Sequence, residues 1–89
     1  MVMVLGRVLD VLSGFCSRSN KELLLLNVDS DGKQSKVVLD SESHYELERE
    51  YGQSEKVLIS GQPRQIHMSF QNEFIDEVCV YGDRVLFRN

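Results

Sequence analysis

The side chains best suited to metal binding or nucleophilic chemistry are scattered singly along this sequence. Its 89 residues include two histidines, His44 and His67, and two cysteines, Cys16 and Cys79. A zinc site requires four ligands, which commonly come in close pairs such as Cys-x-x-Cys, and these residues form no such pair. The sequence also lacks a nucleophile motif with a paired base and a glycine-rich phosphate loop. We therefore expect no metal, no cofactor and no enzymatic activity.

The cysteine content and the apolar segments indicate the cellular compartment. Two cysteines are too few for a disulfide framework, so we expect reduced thiols buried as small hydrophobic side chains. No apolar stretch approaches the roughly 20 residues that a membrane-spanning helix needs. Met1–Leu5 has no basic residue before it, which favours a strand over a signal peptide. These features predict an intracellular protein, cytoplasmic or nuclear, that does not contact a membrane.

The charged residues are unevenly distributed. The formal net charge is −4, and acidic residues are concentrated in Asp40–Glu50. A net negative charge argues against binding of nucleic acid by bulk electrostatics, because phosphate contacts come from a surplus of lysine and arginine. The net charge does not exclude a local basic patch. The cations outside the acidic stretch include Arg7, Arg18, Lys21, Lys33, Lys36 and Arg64.

Apolar, β-branched runs predict that most of these side chains are carried by strands. The runs are Val2–Phe15, Glu22–Asp29, Lys36–Asp40, Lys56–Gly61 and Phe74–Val80, the last with a possible extension through Val85–Phe87. A helical signal at Ser41–Gly52 stands between the third and fourth runs. A chain of this length forms one domain, residues 1–89. We predict an all-β, five-stranded Greek-key barrel with one short helix between strands 3 and 4.

Several local patterns support this order. The first run is apolar at both its odd and its even positions, which predicts burial on both faces or a bend between sheets at a glycine or a bulge. Asp31-Gly32 predicts a hairpin turn with a positive φ at the glycine. Ser43 and Glu46 fit a capping box at the start of the helix. Pro63 predicts a sheet edge, a bulge or the end of the fourth strand.

The layout resembles a known family. Gly6–Val11 opens a long first strand, and the Asp31-Gly32 turn follows Leu24–Val28. The helix comes next, then Val57–Gly61 as the fourth strand and Phe74–Val78 at the start of the last. This arrangement resembles the oligonucleotide/oligosaccharide-binding (OB) fold, as in replication protein A-like single-strand-binding subunits. The likeness covers nearly the whole chain and rests on layout and glycine placement.

The resemblance implies a ligand face on strands 2 and 3, flanked by the strand 1–2 and strand 4–5 loops. On such a face, cations follow the phosphates and flat side chains stack on the bases of single-stranded DNA or RNA. The residues that the resemblance places in this role are Arg18, Lys21, Lys36, Arg64, His67 and Phe70.

The outward positions of strands 2 and 3 favour a second role. Leu23, Leu25 and Val38 would form an apolar patch if exposed, and such patches mark partner surfaces. The alternative is that strand 2 is buried on both faces, for example under a terminus. We interpret Phe15 and Phe74 as core or helix-packing residues rather than ligand contacts.

Two functions remain open at this stage. The first is a small OB-fold subunit or accessory factor of a nucleic-acid-handling complex, which binds a protein partner and also single-stranded nucleic acid. The second is a protein-interaction or oligomerisation module, an OB-like or Sm/SH3-like barrel without nucleic-acid contact. Binding to an oligonucleotide, measured against salt concentration, separates the two.

Overall fold

The computed structural model describes residues 1–40 and 55–88, and the regular structure within them is entirely β. The five strands are β1 (Val2–Cys16), β2 (Lys21–Ser30), β3 (Lys33–Asp40), β4 (Lys56–Phe70) and β5 (Glu73–Arg88). The helix predicted at Ser41–Gly52 lies outside the described residues.

The strands close into a barrel in the order β1-β2-β3-β5-β4, with β4 pairing back to β1. The β3–β5 pair is parallel, whereas the other four pairs are antiparallel. The prediction of an all-β, five-stranded closed barrel is confirmed, and this architecture is compatible with an OB-like barrel.

Strand β1 takes part in both halves of the barrel. Its first half, Val2–Arg7, pairs with β4, and its second half, from Arg7 to Cys16, pairs with β2. A bulge at Leu9 lies in the half that pairs with β2, two residues after Arg7, where β1 changes partner. A bulge bends a strand and increases its twist, so β1 can pass from one side of the barrel to the other. This bend explains the apolar residues at both parities.

The turns and the strand ends follow the local signals. Asp31 and Gly32 connect β2 to β3 with φ angles of 53° and 87°, as expected for a two-residue hairpin turn with positive φ at both positions. Strands β4 and β5 are longer than predicted, because β4 continues through Pro63 to Phe70. Among residues 1–40 and 55–88, β4 beyond Gly61 is paired only with β5, so Pro63 lies at a sheet edge there, one of the positions predicted for it.

The barrel interior is filled by one apolar cluster. Leu24, Leu26 and Val28 of β2 share a parity, as the alternation predicts, and all three face the interior. Val37 and Leu39 of β3 lie beside them and are fully buried. The cluster is completed by Val4, Val8, Val57 and Ile59 from β1 and β4.

A second apolar cluster lies on the outside of the barrel. The part of the β4–β5 hairpin spanning residues 62–81, here named the distal hairpin, folds back over the outer face of β2 and β3. The cluster consists of Leu23, Leu25, Val38, Ile66, Phe70, Ile75 and Cys79. Burial of a large aliphatic side chain contributes about 1.5–3 kcal/mol, which offsets the cost of ordering the hairpin.

This second cluster corrects two expectations. Leu23, Leu25 and Val38 are 5%, 0% and 0% exposed, so they are not an available partner surface. The alternative of burial on both faces is the observed one, although the covering element is the distal hairpin rather than a terminus. Phe15 and Phe74, in contrast, are 60% and 58% exposed and are not core residues.

The tip of the distal hairpin is fastened to β1. The Gln71 backbone N–H donates a hydrogen bond of 2.8 Å to the Ser13 carbonyl oxygen. On the side toward β3, the Lys36 ammonium lies 3.5 Å from the Glu77 carboxylate. The hairpin is therefore held at its tip and along its β5 edge. Within residues 1–40 and 55–88, no helix has the length and apolar character needed to cross a membrane.

Candidate functional site

An open cleft separates the β1–β2 turn from the β4 edge of the distal hairpin. Its volume is about 510 Å³. The wall on the turn side consists of Phe15, Cys16, Ser17, Arg18, Ser19 and Leu23. The opposite wall consists of Arg64, Gln65, Ile66, His67, Met68 and Tyr81. Five consecutive β4 residues line the cleft because none of the described strands neighbours β4 on this side.

Arg64 is positioned by an aromatic ring. Its guanidinium carbon lies 4.5 Å from the centroid of the Tyr81 ring, an arrangement in which the cation is attracted to the ring face. The Tyr81 hydroxyl donates a hydrogen bond of 3.4 Å to Asp40 Oδ2. Burial, followed by the nearby Asp40 carboxylate, raises the pKa of Tyr81 above its ordinary value. These contacts hold a cation and a partly buried aromatic ring together at one wall of the cleft.

His67 is held against the neighbouring strand. Its Nδ1 lies 3.2 Å from Asp76 Oδ1, and its ring meets the Phe74 ring edge-on at 5.0 Å between centroids. The Gln65 side-chain amide donates to the same Asp76 oxygen at 3.0 Å. Asp76 therefore orients two polar side chains at the rim of the cleft.

The β1–β2 turn supplies the facing polar groups. Hydrogen bonds from the Ser19 side chain and then from the Ser19 backbone hold the pKa of Cys16 below its ordinary value, and the Arg18 cation adds to this effect. Arg18 itself makes no ion pair with any described residue. Phe15 presents an exposed ring beside them. The turn thus combines a cation, hydrogen-bond donors and a flat apolar side chain.

The structure brings together three of the six residues that the resemblance implies. Arg18, Arg64 and His67 all line the cleft. Lys36 lies on the other side of the distal hairpin, in its ion pair with Glu77. Lys21 begins β2 opposite Cys16 but does not line the cleft. Phe70 is fully buried beneath the hairpin tip, so a base cannot stack on it.

Sequence reasoning missed two aromatic residues of the cleft, Phe15 and Tyr81. Phe15 lies near the end of the long strand β1, next to the polar turn. This position was the available signal that its side chain is exposed. Tyr81 lies just before a bulge at Asp83 in β5. No sequence pattern indicated that Tyr81 would lie beneath Arg64, because the contact joins two strands.

Comparisons with protein-family models, with curated proteins and with solved structures find no match to this chain. Among the described residues, no group of three or more histidine, cysteine, aspartate or glutamate side chains could hold a metal ion. The functional proposal therefore rests on the barrel and on the geometry of the cleft.

Proposed function

We propose that this protein is a small OB-like barrel subunit or accessory factor of a nucleic-acid-handling complex. It contacts single-stranded nucleic acid through the cleft and binds a protein partner through a separate surface. The observation that carries the first part is the convergence of Arg18, Arg64 and the exposed Phe15 ring on one open cleft. Cations that follow phosphates, combined with rings on which bases stack, are what a single-stranded site requires.

The size of the cleft limits the ligand to a short segment. Ligand pockets of about 300–1,000 Å³ accept molecules of drug size. A cleft of about 510 Å³ suits one or two nucleotides rather than a long tract. The outer face of β2 and β3, which the resemblance assigns to ligand, is covered by the distal hairpin. With a net charge of −4, the isolated protein binds weakly, and the affinity falls as salt is added.

The test measures binding of a fluorescent oligonucleotide of about 20 thymidines by anisotropy at salt concentrations between about 50 and 200 mM. For two phosphate contacts, the slope of log K against log salt is about −1.4, since each contact on a single strand contributes about −0.7. Phe15→Ala removes a stacking platform and lowers affinity by a factor corresponding to about 1–3 kcal/mol.

A charge-reversed pair supplies the matched control. Arg18→Glu combined with Arg64→Glu abolishes binding, whereas Lys33→Glu combined with Arg84→Glu changes the net charge equally outside the cleft and leaves most of the affinity. Absence of binding by the wild-type protein at low salt, or a slope near zero, contradicts the nucleic-acid part of the proposal. Equal losses in both pairs would place the contact outside the cleft.

The second candidate function is a protein-interaction or oligomerisation module without nucleic-acid contact. One observation favours it: large apolar side chains of β1, β4 and β5 are exposed on the outside of the barrel, among them Met3, Leu5 and Phe87. Exposed apolar side chains that lie together indicate a partner surface.

A further inference from the structure

An apolar stripe crosses three adjacent strands on the outside of the barrel. Leu5 of β1 is directly opposite Leu58 of β4, and Leu58 is directly opposite Phe87 of β5. Met3 lies on the same face of β1, two residues from Leu5. Met3, Leu5 and Phe87 are 57%, 51% and 48% exposed. We name these four residues the apolar stripe.

The barrel core does not require the stripe. The alternate positions on the same strands, Val4, Val57 and Ile59, already fill the interior and are 6%, 0% and 0% exposed. The distal hairpin covers a different face, that of β2 and β3. The apolar stripe therefore lacks a covering element within the described residues.

Cations lie at both ends of the stripe. Arg7 and Lys56 are directly opposite each other on β1 and β4, one step beyond Leu5 and Leu58. At the other end, Arg84 is opposite Ser60, which is opposite Met3. On β2, Asp29 faces Arg7, so Lys56 and Arg84 supply most of the positive character.

We propose that the apolar stripe binds an acidic amphipathic helix of a partner protein. The central strand of this face, β4, is hydrogen-bonded to β1 on one side and to β5 on the other between Lys56 and Gly61. A partner that contacts Leu58 does so through side chains, because β4 has no open edge between these residues. Three strands span about 10 Å, which matches the diameter of one helix.

The charge pattern determines the chemistry of the helix. Apolar residues at i, i+3, i+4 and i+7 contact the stripe, and glutamate or aspartate side chains before and after them meet Lys56 and Arg84. This inference rests on the partner-binding part of the proposed function. It does not rest on nucleic-acid binding, since the stripe and the cleft share no residue.

The experiment uses the whole protein and a stapled helical peptide of about 15 residues, with leucines at the four apolar positions and glutamates on both flanks. A second peptide carries the same leucines with lysines in place of the glutamates. Backbone amide shifts map the binding site, and anisotropy gives the two affinities. We expect the acidic peptide to bind at least roughly tenfold more tightly, with shifts confined to β1, β4 and β5 around the stripe.

Two variants complete the test. Leu58→Asp lowers the affinity for the acidic peptide roughly tenfold or more. Circular dichroism and thermal unfolding verify that the barrel of this variant is intact. Lys56→Glu combined with Arg84→Glu reverses the preference between the two peptides. Equal affinity for both peptides, or shifts outside this face, overturns the proposal. A wild-type dimer that Leu58→Asp converts to a monomer also overturns it, and identifies a second copy of this chain as the occupant. If the protein binds the acidic peptide but no oligonucleotide, only the proposed nucleic-acid contact in the cleft is contradicted.

Discussion

Phe70, fully buried at the tip of the distal hairpin, packs directly on Gly14 of β1. A Cβ built on Gly14 would lie 2.7 Å from Phe70 Cδ2 and 2.7 Å from the Ser69 carbonyl oxygen. The hairpin can approach β1 this closely because Gly14 has no side chain. This contact fixes the hairpin across β2 and β3, and so determines which residues are left to form the cleft.

Gly14→Ala is expected to destabilise the protein by about 1–3 kcal/mol, because the new methyl group meets backbone atoms that cannot move freely. Urea unfolding measures the change in the free energy of unfolding. Ser13→Ala is the matched control, since Ser13 is an exposed residue of the same strand whose backbone carbonyl is kept. A Gly14→Ala protein as stable as the wild type would show that the hairpin does not depend on this approach.

Phe70→Ala is expected to cost about 3–5 kcal/mol, as for other fully buried phenylalanines. Phe74→Ala, in the same hairpin but 58% exposed, is expected to cost less than about 1 kcal/mol. Thermal and urea unfolding compare the two variants, and Phe70→Leu supplies a milder change if Phe70→Ala does not fold. Equal costs at the two positions would contradict the burial described for the hairpin.

Leu25→Asp is expected to prevent cooperative folding, since Leu25 is 0% exposed within the second cluster and a carboxylate there would be unpaired. The dispersion of the amide proton spectrum and circular dichroism detect the loss. Leu9→Asp on β1, where the side chain is 44% exposed, is the control and is expected to fold. A folded Leu25→Asp protein would instead restore the interpretation of an exposed leucine patch.

Cys16 is expected to react with iodoacetamide at lower pH than an ordinary thiol, because the thiolate is the nucleophile and hydrogen bonds from Ser19 lower its pKa. Cys79 is expected to react slowly across the same range, because burial raises its pKa and limits access. Mass spectrometry after timed labelling from about pH 6 to 9 gives both profiles. In Ser19→Ala, the Cys16 profile should move to higher pH. An unchanged profile would reject Ser19 as the cause.

Local patterns in the sequence predicted most of the barrel. The alternation in β2 separated Leu24, Leu26 and Val28 from Leu23 and Leu25, and the structure keeps these two sets on opposite faces. The Asp31-Gly32 turn could also be predicted, since aspartate and glycine are among the residues that adopt positive φ at consecutive turn positions. Such features depend on neighbours in sequence, and residue types report them directly.

The candidate site was harder to predict from the sequence. Arg18, Arg64 and His67 were implied by the resemblance and line one cleft, whereas Lys21 and Lys36 lie outside this cleft and Phe70 is fully buried. The length of the β4–β5 hairpin was underestimated at Pro63, and this error concealed the element that covers β2 and β3. With the hairpin short, Phe70 reads as a loop residue and Leu25 as an exposed one.

The sequence by itself determined the β character of the described residues, the succession of strands along the chain and the two faces of β2, because periodicity and turn residues act over a few positions. Tertiary structure alone decided what covers each face. Whether an outward leucine meets water or a hairpin depends on the docking of Phe70 on Gly14, a contact between residues distant in sequence. Alternation predicts which residues share a face, but the element that packs on that face is determined only when the chain folds into the closed barrel.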